Sequence, residues 1–129
     1  MQEKYINLFN VAVKASENSY SPYSNFKVGA AILCCDGTIY TGCNIENASY
    51  PLGNCAERTA IFKAVSEGKK DFEAIAIAGG SGNDMSKPCY PCGACRQVMS
   101  EFCKSDFKVI LSDRILTLEE LLPYSFELQ

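Results

Sequence analysis

Three cysteines stand at successive three-residue steps in the stretch SKPCYPCGACRQV: Cys89, Cys92 and Cys95. Each neighbouring pair is a C-x-x-C, a spacing shared by zinc sites and thiol redox pairs. Spacing alone therefore does not say which pair holds a metal, which is redox active and which is a bystander. A further cysteine, Cys55, opens the stretch CAER and is followed two residues later by Glu57. The chain has eight cysteines and no histidine. Any zinc site must then be built from thiolate and carboxylate, and general base chemistry falls to a carboxylate, lysine, tyrosine or cysteine.

Helical phase sorts these candidates. Glu57, Ala60, Ile61, Ala64 and Val65 follow the i, i+3, i+4, i+7, i+8 pattern of one helix face, so Glu57 is expected on a core-facing stripe. Cys95, Val98, Met99, Phe102 and Cys103 repeat the pattern and put Cys95 on an inward face, with Cys103 as a core thiol. The helices are expected from Cys55 to about Glu67, ended by Gly68, and from about Cys92 to Cys103. A capping reading competes for Glu57: with Asn54 as N-cap it would be the third-position carboxylate of a capping box.

The elements that must position these residues are read as follows. Tyr5, Leu8, Phe9, Ala12 and Val13 predict an amphipathic helix ending near Asn18. Phe26 to Cys35, the Asp36-Gly37 pair and TIYTGC predict a hairpin whose tight turn takes positive φ at both turn residues. AIAIAG (74–79) and FKVIL (107–111) read as buried strands, and 117–122 as a short helix. The resulting order predicts an α/β fold whose sheet has an antiparallel edge and parallel members joined by right-handed crossovers. In such sheets helix N-termini gather beyond the carboxyl ends of the strands. Cys55, Cys92 and Cys95 could meet there, and three protein ligands leave zinc one open position, the mark of a catalytic site.

Three thiolates would leave Zn²⁺ with a formal charge of −1, which weakens its hold on a water proton. Two helix N-termini supply compensating positive charge, and Arg58 and Arg96 lie close enough in sequence to reach the sulfurs, Arg58 with more weight because it follows Glu57.

Composition bounds the partners. The 129 residues are expected to form one domain, 1–129, with 15 acidic against 12 basic residues and a net charge of −3. No Lys/Arg cluster exceeds Lys69-Lys70, so a nucleic-acid partner is not expected and a small neutral substrate fits better. No apolar run is long enough for a membrane span and no leader pattern opens the chain, so the expectation is a cytoplasmic protein whose thiols stay reduced.

CAE (55–57) followed by PCGACRQV (91–98) resembles the zinc nucleoside deaminases, in a three-cysteine variant of their signature. SPYSNFKVGAA (21–31), NIENASYPLGNCAERTA (44–60) and ELLPYSF (120–126) extend the resemblance to small homotetrameric cytidine deaminases over nearly the whole chain. The resemblance implies a three-layer α/β/α sandwich with a mixed five-stranded sheet. It implies one Zn²⁺ per chain held by Cys55, Cys92 and Cys95, and Glu57 as the proton shuttle in hydrolytic deamination of cytidine and deoxycytidine, a reaction of pyrimidine salvage. It further implies that Asn44 and Glu46 hold the ribose hydroxyls, that Phe26 and Ala48 flank the pocket and that the Ala56 N–H meets the base carbonyl. Tyr50 and Phe126 would reach the pocket of a neighbouring subunit in a homotetramer with shared active sites.

The sequence departs from the family at Cys89 and Tyr90, where an apolar or small residue and a Ser or Thr are usual. Cys89 is expected to be a spectator, since a fourth ligand would close the site. Cys34 and Cys35 point to opposite faces of a strand and suit neither a shared metal nor a disulfide, and Cys43 reads as strand packing. Two rivals stay open at this point: a deaminase of nucleoside antibiotics, and a non-enzymatic protein with either a closed zinc site of Cys55, Cys89, Cys92 and Cys95 or a thiol redox switch.

Overall fold

The computed structural model describes residues 1–128; Gln129, the last residue of the expected domain, lies outside them. Helix α1 (Glu3–Ser16) leads into strand β1 (Phe26–Cys34) and strand β2 (Ile39–Cys43). A 3₁₀ turn (Tyr50–Leu52) precedes α2 (Ala56–Ser66), then β3 (Phe72–Ser81), α3 (Gly93–Phe102), β4 (Lys108–Ile110), β5 (Ile115–Thr117) and α4 (Leu118–Leu121). The strands form one sheet in the order β2-β1-β3-β4-β5.

The alternation in β3 divides the core into two layers. Ile75 and Ile77 pack with Ile61, Met99 and Cys95 on the side of α2 and α3, while Ala74, Ala76 and Ala78 face Tyr5, Leu8 and Ala12 of α1. Small residues on one face and branched ones on the other let α1 lie close to the sheet while α2 and α3 sit over a thicker apolar layer. The mixed five-stranded sheet between helices is the expected fold class.

Several details differ from the sequence reading. The sheet has one parallel pair, β3 with β4; β1 runs antiparallel to both its neighbours and β5 folds back on β4. The Leu111–Arg114 connection, closed by a Leu111 N–H bond to the Arg114 carbonyl at 2.8 Å, is too short for a crossover and forces that last hairpin. In the β1–β2 turn only Gly37 takes positive φ, at 93°. Asp36 stays on the ordinary side because its carboxylate accepts the Thr38 N–H at 3.0 Å and shapes the turn from its side chain. Helix α1 ends at Ser16, whose hydroxyl turns back to the Val13 carbonyl at 2.6 Å. The N-cap of α2 is Cys55 rather than Asn54, whose amide instead donates to Thr59 Oγ1 at 3.1 Å. Glu57 is therefore not the third residue of a capping box.

Chain direction brings the chemistry together. Strands β2 and β3 are each antiparallel to β1, so they point the same way, and each is followed by a helix. The N-termini of α2 and α3 consequently emerge at one end of the sheet. Helix α2 is seated directly on β2 at Gly42, where a methyl group would stand 2.5 Å from the Ala60 nitrogen and 2.6 Å from the Ala56 carbonyl oxygen. Both atoms are backbone and cannot swing aside. Gly42→Ala is therefore expected to lower unfolding free energy by about 1–3 kcal/mol or more, read by urea denaturation. Gly93→Ala, where nothing lies within 4 Å, is expected to leave stability unchanged or raise it by up to about 1 kcal/mol. Equal stability for both variants would show that α2 is not seated in this way.

Candidate metal centre and its pocket

Cys55 and Cys92 are the N-caps of α2 and α3, and Cys95 sits in the first turn of α3 with no exposed surface. Neither cysteine cap bonds the helix through its side chain, so each Sγ is free to turn outward. The three Sγ atoms lie within 4.8 Å of one another, and Cys55 and Cys92 are 3.9 Å apart. A tetrahedral zinc with bonds of about 2.3 Å needs sulfurs about 3.8 Å apart, so the geometry and the soft donors both suit zinc. This is the sole such group of three or more potential ligands among the described residues, and Cys89 does not belong to it.

The protons on the sulfurs show how strongly the site favours negative charge at one point. Cys55 is drawn down to about 5, first by a hydrogen bond from the Cys95 thiol, with Arg58 and Cys92 adding to it against the opposing effect of burial. Cys95 is pushed up, chiefly because it keeps its proton to donate to Cys55. Arg58 Nη2 donates to Cys55 Sγ at 3.3 Å, while its buried Nε has no partner. Arg96, the other candidate, turns away: Nε donates to the Pro91 carbonyl at 2.8 Å and Nη1 to the Leu121 carbonyl at 2.9 Å. It ties the loop before α3 to α4 instead.

Glu57 lies in the first turn of α2, 4% exposed. Burial raises it to about 7, the Cys55 charge adds to the rise, and its own backbone N–H, Arg58 and Cys95 hold it back. A carboxyl poised there can take up or release a proton near neutrality. Cys89 packs against β3 where Gly79 has no side chain, since a methyl there would stand 2.6 Å from its sulfur. Burial pushes that thiol up to about 11, with the charges of Glu57 and Cys55 contributing.

Cys55, Glu57, Arg58, Cys89 and Cys92 line a cavity of about 540 Å³, within the usual range of small-molecule sites, while Cys95 is fully buried and is not part of its lining. Its walls include Asn44, Glu46, Tyr50, Ala56, Cys89 and Tyr90. Tyr23 and Tyr50 meet edge to face at its rim, ring centres 6.3 Å apart. Of the site residues expected from sequence, Cys95, Phe26, Ala48 and Phe126 do not line it. Phe26 stands beside Gly79 and Cys89, Ala48 lies exposed, and Phe126 is on the C-terminal tail, its carbonyl accepting from Gln97 at 3.4 Å. Sequence reasoning gave no role to Tyr23 and Ser24, which hold Glu46: its Oε1 accepts their backbone N–H groups at 3.0 and 3.1 Å, and its Oε2 accepts the Ser24 hydroxyl. The Ser24 hydroxyl first, then the two amides, keep that carboxylate below its ordinary range. The run SPYSNF held the signal, as a polar turn next to a strand, but nothing local ties it to residue 46.

Comparison with known proteins agrees with this geometry. A model of the cytidine and deoxycytidylate deaminase zinc-binding region matches residues 2–111. A cytidine deaminase of Halalkalibacterium halodurans is 52% identical over 124 residues, spanning 92% of this chain and 91% of its own length. One from Sporosarcina psychrophila is 52% identical over 118 residues, 88% of this chain and 84% of its own. Among solved structures, cytidine deaminase from Burkholderia pseudomallei superposes with a TM-score of 0.86 at 46% identity, covering 98% of this chain and all of that one (100%). That of Mycobacterium tuberculosis gives 0.88 at 38%, with 98% and 100% covered.

Metal content separates the cysteines. Protein purified in the presence of zinc is expected to carry about one ion per chain by atomic absorption. Cys55→Ser, Cys92→Ser and Cys95→Ser should each lose most of it, whereas Cys89→Ser should keep it. Zinc loss from Cys89→Ser would mean a closed four-sulfur site.

Proposed function

This chain belongs to the zinc-binding cytidine and deoxycytidylate deaminase family, and from that premise we propose how its residues divide the reaction and what assembly completes it. The enzyme hydrolyses cytidine and 2′-deoxycytidine to uridine and 2′-deoxyuridine with release of ammonia, and its cofactor is zinc. The observation that carries this is a cluster of three thiols, two of which, Cys55 and Cys92, line one cavity together with the buried carboxyl of Glu57.

Cys55, Cys92 and Cys95 would hold the ion and leave its fourth position for solvent. When bound, zinc supplies Lewis acidity that lets a water lose its proton near neutrality. Glu57 is placed to take a proton from the attacking water and pass it to N3 of the base, and then to carry the second proton, released by the hydroxyl added at C4 as the carbonyl forms, to the departing amine. A group held near 7 serves both as base and as acid without a large penalty in either direction. Arg58 offsets the surplus charge of the sulfurs through Cys55. The Ala56 N–H, in the first turn of α2 where intrahelical acceptors are lacking, is free to meet the base carbonyl. Asn44 and Glu46, both half-buried, bind the sugar hydroxyls, and losing the hydroxyl partner is expected to weaken free cytosine relative to nucleosides.

Residues 1–129 are read as a single deaminase domain. The active unit is read as a homotetramer in which Tyr50 and Phe126 reach a neighbouring pocket and Phe26 and Ala48 flank it. Tyr50 at 76% exposure and Phe126 at 66% support this, because large aromatics left so open gain most from a second copy. A cytoplasmic setting and a role in pyrimidine salvage belong to the same reading, in which the three clustered sulfurs must stay reduced to hold the ion. No helix among the described residues is long and apolar enough to cross a membrane.

The decisive assay follows cytidine loss and ammonia release together with zinc content. Glu57→Ala is expected to lose turnover by at least about 10²–10⁴-fold while keeping its zinc, and Cys89→Ser to stay active. Arg58→Ala should retain the fold and lose about 10–100-fold in activity or metal affinity. Full activity in Glu57→Ala would overturn the mechanism. Light scattering at four chain masses for wild type would bear out the assembly, and a monomer with full activity would overturn the shared site.

A further inference from the structure

The sugar-facing side chains have most of their hydrogen-bonding capacity already committed, and what remains is specific. Glu46 Oε1 accepts two backbone N–H groups, from Tyr23 at 3.0 Å and Ser24 at 3.1 Å, and so has no vacant lone pair. Oε2 accepts the Ser24 hydroxyl and keeps one. Asn44 Oδ1 accepts the Val28 N–H at 2.9 Å and the Ser19 hydroxyl at 2.5 Å, and Nδ2 donates to the Phe26 carbonyl at 2.8 Å. One N–H of Asn44 is left. A hydroxyl can donate to the first side chain and accept from the second, whereas a phosphate offers only acceptors and would face the Glu46 charge.

Two of the Asn44 partners come from the start of β1, while all of the Glu46 partners and the Ser19 hydroxyl on Asn44 come from the connection between α1 and β1. Asn25 is its pivot, the one non-glycine residue at positive φ among the described residues, at 56°. Its N–H bonds the Ser21 carbonyl at 3.0 Å, and the next N–H, of Phe26, bonds Ser24 Oγ at 3.0 Å. The Ser24 oxygen thus accepts from the backbone, which aims its single proton at Glu46.

We propose that Ser24 is a positioning residue for the substrate sugar: its hydroxyl, oriented by the Phe26 N–H, fixes Glu46 Oε2 so that the one remaining lone pair meets a sugar hydroxyl. This rests on the nucleoside deaminase reading above. It assigns to the α1–β1 connection a part in substrate selection, although none of its atoms need touch the base or the metal.

The test compares kcat and KM on cytidine, 3′-deoxycytidine and 5′-deoxycytidine, the last two also as competitive inhibitors, for wild type, Ser24→Ala, Ser24→Thr, Glu46→Gln and Glu46→Gln/Ser24→Ala. Ser24→Ala is expected to raise KM for cytidine about tenfold with kcat little changed. It should have no effect beyond twofold on whichever analogue lacks the hydroxyl that Glu46 binds. Ser24→Thr, which keeps the hydroxyl, should restore most of the loss, and Ser24→Ala should add nothing in the Glu46→Gln background. Zinc content and melting temperature serve as controls that Ser24→Ala is folded and loaded. Equal losses on all three substrates, or an undiminished loss in the Glu46→Gln background, would overturn the role of Ser24 alone. A zinc-loaded wild type that neither binds nor converts cytidine would instead overturn the deaminase reading, and this inference with it.

Discussion

Helix α2 touches strand β2 through bare backbone at Gly42, with the Ala56 carbonyl and the Ala60 nitrogen closer than any side chain would allow. The site hangs on that contact, because the first turn of α2 carries Cys55, Ala56, Glu57 and Arg58 together. A helix held at such short range has little freedom to slide or roll. Helix α3 reaches the same end of the sheet because β3 runs in the direction of β2. The sulfur cluster is therefore set by strand direction and by one missing side chain. Cys55 and Cys92, far apart in sequence, come to 3.9 Å, close enough for a thiol hydrogen bond.

Charge is the cost of that convergence. Three sulfurs and Glu57 share one end of the molecule, and burial penalises each additional negative charge. Cys55 is the sulfur most drawn toward the thiolate, because it collects hydrogen bonds from Cys95 and Arg58. Glu57 is raised first by burial, with the Cys55 charge adding to it. The lowered thiol and the raised carboxyl thus have different leading causes, hydrogen bonding for one and desolvation for the other. A divalent cation suits such a cluster because it offsets the negative charge gathered there.

Much of this was legible in the sequence because it depends on helical phase. Glu57 and Cys95 were placed on inward faces by counting residues, and both are buried. Arg58 was favoured over Arg96 by adjacency to Glu57, and the contacts agree. What phase could not supply was long-range pairing. The third residue position of Glu57 was misjudged because Asn54 is a good N-cap by type, yet its amide is taken by Thr59. Strand β5 was missed because three residues, Ile115 to Thr117, run without a break into the helix they cap. The antiparallel pairing of β1 with β3 was missed for a related reason: an apolar strand reads the same whichever way its neighbours point. The family resemblance supplied Asn44 and Glu46, but not the groups that hold them, since Ser19, Tyr23 and Ser24 are joined to them only through the fold.

The two ends of the cavity are built on different principles. The metal end is complete within the chain, set by helix termini on a rigid sheet, and its groups are buried or half-buried apart from Cys92. The other end is a loop, fixed by side chains that accept backbone N–H groups, and its rim is open at Tyr50. Rigid elements can tolerate changes in the loop without disturbing the sulfurs. Substitutions in residues 19–28 therefore act on one end of the cavity, whereas substitutions in the first turn of α2 change the cluster charge, the buried carboxyl and the seating on Gly42 at once. A first turn under three constraints has few alternatives open to it, and that is the physical reason CAER is the more diagnostic stretch than the cysteine-rich run that follows it.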